Sequence, residues 1–265
     1  MSRYSGYERL LIQQDGKILR ITLNLPEKRN IVGGPMSLEL IRAVQTASSD
    51  DSVAVIVLTG AGGSFSAGGD IVGMQTKIDD PSLFYKGVIH SRQLVFSMLD
   101  CPKPVVCRVN GHAIGLGATI ALLCDVVIAN EDAKIGDPHV RMGLVAGDGG
   151  ALIWPQLIGY ARARKYLLGG DLITGKLAAE IGLIAEAGPM DVVDRLTEEW
   201  AQKFAEGATQ SIAGTKITIN LPLRQAAQAA LDVGMAYEGL SNITKDHQEA
   251  VSAFIEKRKP SFTGE

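Results

Sequence analysis

The sequence predicts an α/β fold in which buried parallel strands alternate with helices, followed by a helical C-terminal region. Three observations lead to this prediction. Val53–Thr59 is a continuous apolar run rich in β-branched residues, which is typical of a strand buried on both faces. A glycine-rich segment and then a helical segment follow this strand, and the same order recurs after Val105–Val109. Beyond Ala151, apolar residues recur mainly at helical spacing, with few strand signals.

The first part of the chain contains the clearest local signals. Two alternating apolar segments within Tyr7–Leu25 flank Gln-Asp-Gly, which predicts an antiparallel hairpin. Pro26–Pro35 is rich in turn residues and predicts a loop, and the apolar spacing of Met36–Ala47 predicts a helix. After the first buried strand, Gly60–Asp70 holds five glycines, whose backbone N–H groups can come close to a ligand.

The same alternation continues along the chain. Gly73–Asp100 becomes helical toward its end, where Pro102 and Pro104 stop the helix. The elements predicted next are strands at Val105–Val109, Val126–Ala129 and Lys134–Gly136, a glycine turn at Gly111–Gly117 and a helix at Ala118–Cys124. The helices predicted after Ala151 are Tyr160–Leu168, Gly175–Ile181, Met190–Phe204, Ser211–Leu221 and Arg224–Arg258. We therefore predict an α/β core over residues 1–200 and a helical region over residues 201–265.

The composition argues against several classes of protein. A formal charge of −3 and a pI near 5.9 disfavour nucleic-acid binding, which needs a basic face. Cys101, Cys107 and Cys124 have neither CxxC spacing nor paired histidines, so we interpret them as buried thiols in a reducing compartment. The N-terminus lacks the pattern of a signal peptide, and no apolar run reaches the roughly 18 residues that span a bilayer. We expect a cytoplasmic protein without a membrane partner.

The two glycine-rich turns lead to the first functional hypothesis. GLGATI (Gly115–Ile120) does not complete the dinucleotide-binding pattern, because Ile120 fills the last glycine or alanine position, and neither turn has the lysine of a phosphate-binding loop. We interpret the turns as sources of backbone N–H groups that converge on one carbonyl oxygen and stabilise its developing charge. The alternative is that the glycines serve only tight packing.

Several motifs, in order, resemble those of the crotonase, or enoyl-CoA hydratase/isomerase, superfamily. FSAGGDI (Phe65–Ile71) is similar to its first oxyanion and CoA-binding loop, and NGHAIGLGATIALLCDVVIA (Asn110–Ala129) is similar to its second. Three further segments follow the family pattern, namely Gly143–Gly159, Gly170–Leu183 and Phe254–Phe262. The resemblance implies a crotonase-like spiral of ββα units, with a helical C-terminal region that packs at subunit contacts in trimers or hexamers.

The resemblance also implies a substrate and site residues. An acyl-CoA thioester would bind with its carbonyl oxygen at the backbone N–H groups of Gly69 and Leu116. Lys28, Arg29 and Ala67 would lie along the CoA moiety. Further substrate contacts are expected from Gly68, Asp70, Ile71, Gly115, Thr119 and Glu238. No metal or redox cofactor is implied, since coenzyme A enters as part of the substrate.

The sequence departs from the family pattern at the proton carriers. Typical hydratases have two glutamates that hold the attacking water and shuttle its proton, and those positions are Thr119 and His139 here. Threonine does not titrate near neutrality, whereas the unperturbed histidine pKa near 6.5 suits acid/base work. We therefore expect His139 to carry the proton, with its ring oriented by Asp148, nine residues later.

Simpler roles stay open for these residues at this point. Asp148 is also suited to cap the helix that follows it, and His139 to a hydrogen-bonded role in its loop. Tyr237 and Glu238, neighbours on the C-terminal helix, have the pattern of a packing aromatic beside a solvated charge. The other histidines, which we interpret as structural, are His90, His112 and His247.

The sequence therefore predicts a lyase or isomerase of acyl-CoA or fatty acid metabolism that stabilises an enolate, with His139 moving the proton. A second possibility is a β-diketone carbon–carbon hydrolase of the same superfamily, a branch with a similar placement of histidine and aspartate. That branch has a further histidine at the position of Leu116. A third possibility is a catalytically weak oligomeric binding module, since both glutamates are absent.

Overall fold

Ten strands and nine helices are found among residues 3–265, which the computed structural model describes apart from the side chain of Val72. The strands are β1 (Leu10–Asp15), β2 (Ile18–Leu23), β3 (Val55–Gly60), β4 (Ser64–Ser66), β5 (Val105–Val109), β6 (His112–Ile114), β7 (Val126–Asn130), β8 (Lys134–Gly136), β9 (Ile173–Thr174) and β10 (Glu186–Gly188). The helices are α1 (Pro35–Ser48), α2 (Ile71–Asp79), α3 (Pro81–Asp100), α4 (Leu116–Leu122), α5 (Gly150–Gly169), α6 (Gly175–Glu180), α7 (Met190–Glu206), α8 (Thr209–Asn242) and α9 (Lys245–Glu256). Short 3-10 turns lie at Pro26–Lys28 and His139–Met142.

The strands form two sheets, and successive turns of the chain contribute strands to both. The larger sheet has the order β1-β2-β3-β5-β7-β10, and the smaller one has the order β4-β6-β8-β9. Each turn of the chain adds one strand to the larger sheet, then one to the smaller sheet, and then a helix, as in β3-β4-α2 and β5-β6-α4. This is the predicted spiral of ββα units, and the α/β fold class with a helical C-terminal region is confirmed.

The central strands of the larger sheet are buried on both faces, as the run of β-branched residues predicts. Along β3, Ile56 and Leu58 face the main core, while Val55 and Val57 face α7 on the other side. The successive residues point to opposite faces, and both faces are covered by helices. The hairpin is also confirmed, because β1 and β2 pair antiparallel across Gly16, which has a φ of 55°.

The structure corrects several predicted boundaries. The helix expected at Ala118–Cys124 begins earlier, at Leu116, directly after Gly115. The second half of the chain contains two short strands, β9 and β10, that its helical pattern did not indicate. They are two and three residues long, and strands this short show no detectable periodicity in the sequence.

The C-terminal helices differ most from the prediction. Pro222 lies inside α8 and does not end it, whereas the tract predicted at Arg224–Arg258 is divided between α8 and α9. On either side of Pro222 the helix is held to the end of α3, by hydrogen bonds from Asn220 to the Leu99 carbonyl (3.3 Å) and from Arg224 to Asp100 (2.5 Å). Tertiary contacts of this kind offset the local cost of a proline.

The boundary predicted at residue 200 falls inside α7, which packs on the larger sheet. The helices that extend beyond the sheet are therefore α8 and α9. They carry exposed apolar side chains, including those of Leu240 and Phe254. Such exposure is compatible with subunit contacts, and assembly into trimers or hexamers stays a prediction. Among the described residues, no helix combines the length and apolar character needed to cross a bilayer.

Candidate active site

A cavity of about 390 Å³ brings together all four residues predicted to be catalytic, namely Gly69, Leu116, His139 and Asp148. Its walls are formed by the segments after β4, β6 and β8, together with α2, α3 and α8. Of the residues predicted to contact substrate, those that line it are Lys28, Asp70 and Glu238. The cavity is the place where the predicted chemistry would occur.

The topology of the smaller sheet explains why distant motifs meet here. β4, β6 and β8 are neighbouring parallel strands, with Ser64 opposite His112 and Ala113 opposite Ile135. The first glycine loop follows β4, the second follows β6, and the turn that contains His139 follows β8. The carboxyl ends of parallel strands lie at one edge of a sheet, so the three segments converge there.

Two backbone N–H groups at this edge form an oxyanion corner, which consists of Gly69 and Leu116. Within the described part of the chain, neither N–H has a hydrogen-bond partner. Leu116 is the first residue of α4, where helical N–H groups have no partner in the preceding turn and the helix dipole favours negative charge. Both groups are therefore available to a carbonyl oxygen in the cavity.

Gly68 sets the distance between the two donors. Its φ is +81°, and a Cβ at this position would lie 2.3 Å from the Ile114 carbonyl oxygen and 3.4 Å from the Leu116 nitrogen. The loop is fixed from below, because Ser66 Oγ accepts a hydrogen bond from the Gly68 N–H (3.1 Å) and donates to the Asn30 carbonyl (2.7 Å). A glycine is needed at residue 68, since any side chain would push the two loops apart.

The ring of His139 is held from its Nδ1 side by Asp137. The Asp137 carboxylate makes a short contact with Nδ1 and also accepts the His139 backbone N–H (3.3 Å). The side chain of Asp137 is fully buried, and its other oxygen lies so close to Gly150 that a Cβ there would be 1.8 Å away. Gly150 begins α5, so the positive end of this helix favours the charge of Asp137.

Asp148 faces the opposite nitrogen of the same ring. Its Oδ2 lies 3.4 Å from His139 Nε2, and its Oδ1 is buried without a hydrogen-bond partner among the described residues. The ring therefore lies between two carboxylates, because Asp137 holds Nδ1 and Asp148 faces Nε2, and the orientation of the ring by Asp148 stays a prediction. Asp148 does not cap α5: the N-cap is Gly149, without a side-chain hydrogen bond.

Glu238 is the third carboxyl group of the site and comes from α8. A close approach of backbones brings it there, since a Cβ on Gly147 would lie 2.2 Å from the Gly234 carbonyl oxygen. Glu238 follows Gly234 by one helical turn and so lies on the same face of α8. It is 7% exposed, whereas Tyr237 is 60% exposed, which reverses the sequence interpretation of a packing aromatic beside a solvated charge.

The net effect of burial and nearby charges is to raise the pKa values of both His139 and Glu238. Burial alone would lower the pKa of His139, but the adjacent carboxylates of Asp137 and Asp148 raise it well above its ordinary value. Burial and then the charge of Asp148 raise the pKa of Glu238 to about 8. Near neutral pH, the site therefore holds a protonated imidazole and a mostly neutral Glu238. Clusters of this kind are typical of active sites.

The family model for enoyl-CoA hydratase/isomerase matches residues 13–265. The chain belongs to the enoyl-CoA hydratase/isomerase family. It is 33% identical over 260 residues to the 2,3-dehydroadipyl-CoA hydratase of Escherichia coli strain K12, covering 96% of this chain and 98% of that protein. It is 32% identical over 261 residues to the 1,2-epoxyphenylacetyl-CoA isomerase of the same strain, covering 97% and 99%.

Solved structures of the enoyl-CoA hydratase/isomerase family have the same fold. The crystal structure of an enoyl-CoA hydratase/isomerase from Mycobacterium paratuberculosis superimposes with a TM-score of 0.87 at 36% identity, covering 92% of this chain and 97% of that one. A second structure, of an enoyl-CoA hydratase from Mycobacterium avium subsp. paratuberculosis K-10, gives a TM-score of 0.89 at 26% identity, with coverage of 97% and 100%.

The remaining predicted site residues support the cavity without lining it. Gly115 lies directly under the His139 ring, because a Cβ there would be 3.6 Å from Cε1. Thr119, at one of the two family glutamate positions, is 1% exposed and packs against Gly149. The others outside the lining are Arg29, Ala67, Gly68 and Ile71. Their predicted contacts with CoA or substrate stay predictions.

The acidic cluster also has the composition of a cation site. One ligand atom from each of Asp137, His139 and Asp148 lies within 4.8 Å of the others. However, Nδ1 of the ring already contacts Asp137, and the raised pKa of His139 keeps a proton on the ring that a metal ion would have to displace. We therefore interpret the cluster as a group that holds and moves protons.

Sequence reasoning missed Asp137 as a partner of His139. A signal was present, because an aspartate often bonds the backbone two residues later, and Asp137 stands two residues before His139. Lys77 and Met235 also line the cavity and were not predicted. They come from α2 and α8, whose faces toward the cavity are set by tertiary packing and not by a motif.

Replacing Glu238 with glutamine is expected to reduce the loss of stability with rising pH. Burial and Asp148 raise the Glu238 pKa from 4.5 to about 8, so between these values the unfolded chain loses a proton that the folded chain keeps. Stability therefore falls as pH rises through this window, by about 1.4 kcal/mol per pH unit at most. Urea unfolding between about pH 5 and pH 8 measures the slope.

His139 contributes to the slope in the same direction, because its pKa is also raised, so Glu238→Gln should flatten the curve without making it level. Glu180→Gln, at an exposed position, is the matched control and should leave the slope unchanged. Equal slopes for Glu238→Gln and the wild type would contradict the buried, protonated state of Glu238.

Proposed function

We propose that this protein adds water to an α,β-unsaturated acyl-CoA thioester, or moves its double bond, through an enolate held at the oxyanion corner. His139 carries the proton. One observation supports this most directly: Gly69 and Leu116, whose N–H groups have no hydrogen-bond partner among residues 3–265, line the same cavity as the His139–Asp148 pair. A carbonyl oxygen bound at the corner would place the neighbouring carbons within the reach of these side chains.

The proton transfers form a closed cycle. Asp148 Oδ2, which faces Nε2 of His139, accepts a proton from water as the water oxygen bonds to the β-carbon. His139, protonated near neutral pH, donates its Nε2 proton to the α-carbon of the enolate. The proton on Asp148 then returns to Nε2 across the 3.4 Å contact. Without net addition of water, removal and return of a proton at different carbons move the double bond.

Asp137 and Glu238 support proton exchange by the His139–Asp148 pair. Asp137 keeps Nδ1 engaged, so that Nε2 is the nitrogen that exchanges its proton with the substrate. Glu238, mostly neutral at pH 7, adds no second negative charge beside Asp148 and can donate a hydrogen bond into the cavity. The site thus replaces the two-glutamate arrangement with a histidine between carboxylates.

The substrate class is inferred from the relatives and from the cavity. The two relatives of 33% and 32% identity bear the names of a hydratase and an isomerase of CoA thioesters. Lys28 lines the cavity beside the first glycine loop and supplies a cation for a phosphate of CoA. Coenzyme A would enter only as part of the substrate, with no further cofactor.

A panel of 2-enoyl-CoA, 3-enoyl-CoA and β-diketone compounds tests this function. We expect mass spectrometry to show addition of one water, or chromatography to show a shifted double bond, in at least one acyl-CoA. Wild-type protein is compared with Asp148→Asn, which should lose most of the activity because it removes the water-activating carboxylate. Absence of any reaction with CoA thioesters would contradict the proposal.

A second candidate is the hydrolysis of a β-diketone, which the Asp148–Nε2 contact also favours. There, the carboxylate–imidazole pair would direct water onto a ketone, and the oxyanion corner would hold the enolate that leaves. Cleavage of a cyclic β-diketone without turnover of acyl-CoA would establish this function. Tight binding of thioesters without conversion would instead support the weakly catalytic binding module.

A further inference from the structure

One wall of the cavity is a single face of α2. Gly73, Met74 and Lys77 all line the cavity, and their spacing of one, three and four residues places them on one side of the helix. Asp70, which also lines it, caps the helix by accepting the Gly73 N–H (3.1 Å). The cavity therefore runs along α2.

The length of α2 indicates how far Lys77 lies from the oxyanion corner. The helix starts at the oxyanion corner, because Gly69 immediately precedes the N-cap Asp70. With a rise of about 1.5 Å per residue, Lys77 lies about 9 Å along the axis from Ile71, the first residue of the helix. Helical side chains lean toward the N-terminus, so the ammonium group of Lys77 is directed back along the chain of a bound acyl group.

Apolar side chains from three helices line the cavity together with Lys77. Phe84 and Val88 of α3 and Met235 of α8 contribute to these walls, together with Met74. This lining suits a chain of methylene groups. Lys77 is the cation that such a chain reaches after passing Met74.

The position of Lys77 is held by the protein. Asn242, which is 1% exposed, donates a hydrogen bond from Nδ2 to the Lys77 carbonyl oxygen (3.1 Å). The side chain of Lys77 is half-buried, and no carboxylate in residues 3–265 forms an ion pair with it within 4.0 Å. Glu238 is close enough to act on it electrostatically, but burial raises the Glu238 pKa to about 8 and keeps that group mostly neutral at pH 7.

We propose that the acyl group of the substrate ends in a carboxylate and that Lys77 selects for it. The substrate class is then the ω-carboxyacyl thioesters. The inference rests on the proposed function, since it requires the thioester carbonyl at the oxyanion corner. A half-buried ammonium group without an ion-pair partner is costly beside a methyl-terminated chain, whereas a carboxylate at that point gains a charge-assisted hydrogen bond.

The test compares two unreactive thioesters of equal chain length, adipyl-CoA and hexanoyl-CoA, by calorimetry. Wild-type protein should bind adipyl-CoA about tenfold or more tightly than hexanoyl-CoA, as expected for a hydrogen bond between charged groups. Lys77→Met should bring this ratio close to one, and Lys77→Arg should keep most of it. Lys86→Met, on the exposed side of α3, is the matched control and should keep the full ratio.

The outcomes separate this inference from the proposed function. Binding of both thioesters with equal affinity by the wild type, or a preference that survives in Lys77→Met, would overturn the role of Lys77 alone. Failure of the wild type to bind either thioester would overturn the proposed function and this inference with it. The wild-type ratio decides the question even if a variant does not fold.

Discussion

Replacing His139 with alanine is expected to lower kcat on the acyl-CoA substrate by about 10²- to 10⁴-fold, because it removes the group that protonates the enolate. KM should change much less, since the oxyanion corner and the walls along α2 stay in place. The ring is 11% exposed, and its loss leaves the buried carboxylates of Asp137 and Asp148 without their shared partner, so circular dichroism first establishes that the variant is folded. Steady-state kinetics on the substrate found in the panel measure the effect.

His112→Asn is the matched control for this variant. His112 is exposed, lies outside the cavity lining and accepts a hydrogen bond from the Lys134 N–H at Nδ1 (3.0 Å), which an asparagine oxygen can replace. It should retain wild-type kcat. Equal activity of His139→Ala and His112→Asn would exclude His139 as the proton carrier.

The pH dependence of kcat tests the role of His139 independently. His139 acts as an acid, so the rate should fall as pH rises through its raised pKa. Asp137→Asn removes one of the two charges that raise the His139 pKa and should therefore move this alkaline limb to lower pH. If the alkaline limb does not move in Asp137→Asn, the limb reports the titration of a group other than His139.

Replacing Gly68 with alanine is expected to lower kcat/KM by 10²-fold or more. The added Cβ would lie 2.3 Å from the Ile114 carbonyl oxygen, so the two loops must separate, and the distance between the Gly69 and Leu116 donors must change. Loss of a single oxyanion donor costs about 10²- to 10³-fold in kcat, and this change disturbs both. The same kinetic assay measures the loss.

Gly63→Ala, in the turn before β4, controls for the general effect of adding a methyl group to a nearby glycine. A Cβ on Gly63 would meet no atom within 4 Å, and its φ is not in the left-handed region, so activity and stability should stay near those of the wild type. If Gly68→Ala folds and keeps full activity, the corner does not hold the reacting oxygen.

Some features of the site were decided by the sequence itself. The order of strand, glycine turn and helix predicted parallel strands with helical crossovers, because each local pattern lies in consecutive residues, and the resemblance to the family implied the spiral of ββα units. The resemblance of the two glycine loops to the family motifs implied that Gly69 and Leu116 are the donors. The substitution of a glutamate by His139 likewise indicated a changed proton carrier.

Tertiary structure decided the partners of those residues. Asp137 holds Nδ1 of His139 and Asp148 faces Nε2, an assignment that depends on ring orientation and not on spacing along the chain. Glu238 enters the site because Gly234 approaches Gly147, a contact between residues 87 positions apart in the numbering. Sequence periodicity identifies which face of a helix is apolar, but not which distant backbone lies against it.

The sequence by itself therefore determined the fold class and the family, and it predicted the oxyanion donors and the histidine at a family glutamate position. Only the tertiary structure decided the protonation of that histidine, the neutral state of Glu238 and the place of Lys77 along the cavity. The physical reason is that pKa values and substrate contacts depend on burial and on charges a few ångströms away. In this protein, those charges come from four separate segments that only the two-sheet packing brings together.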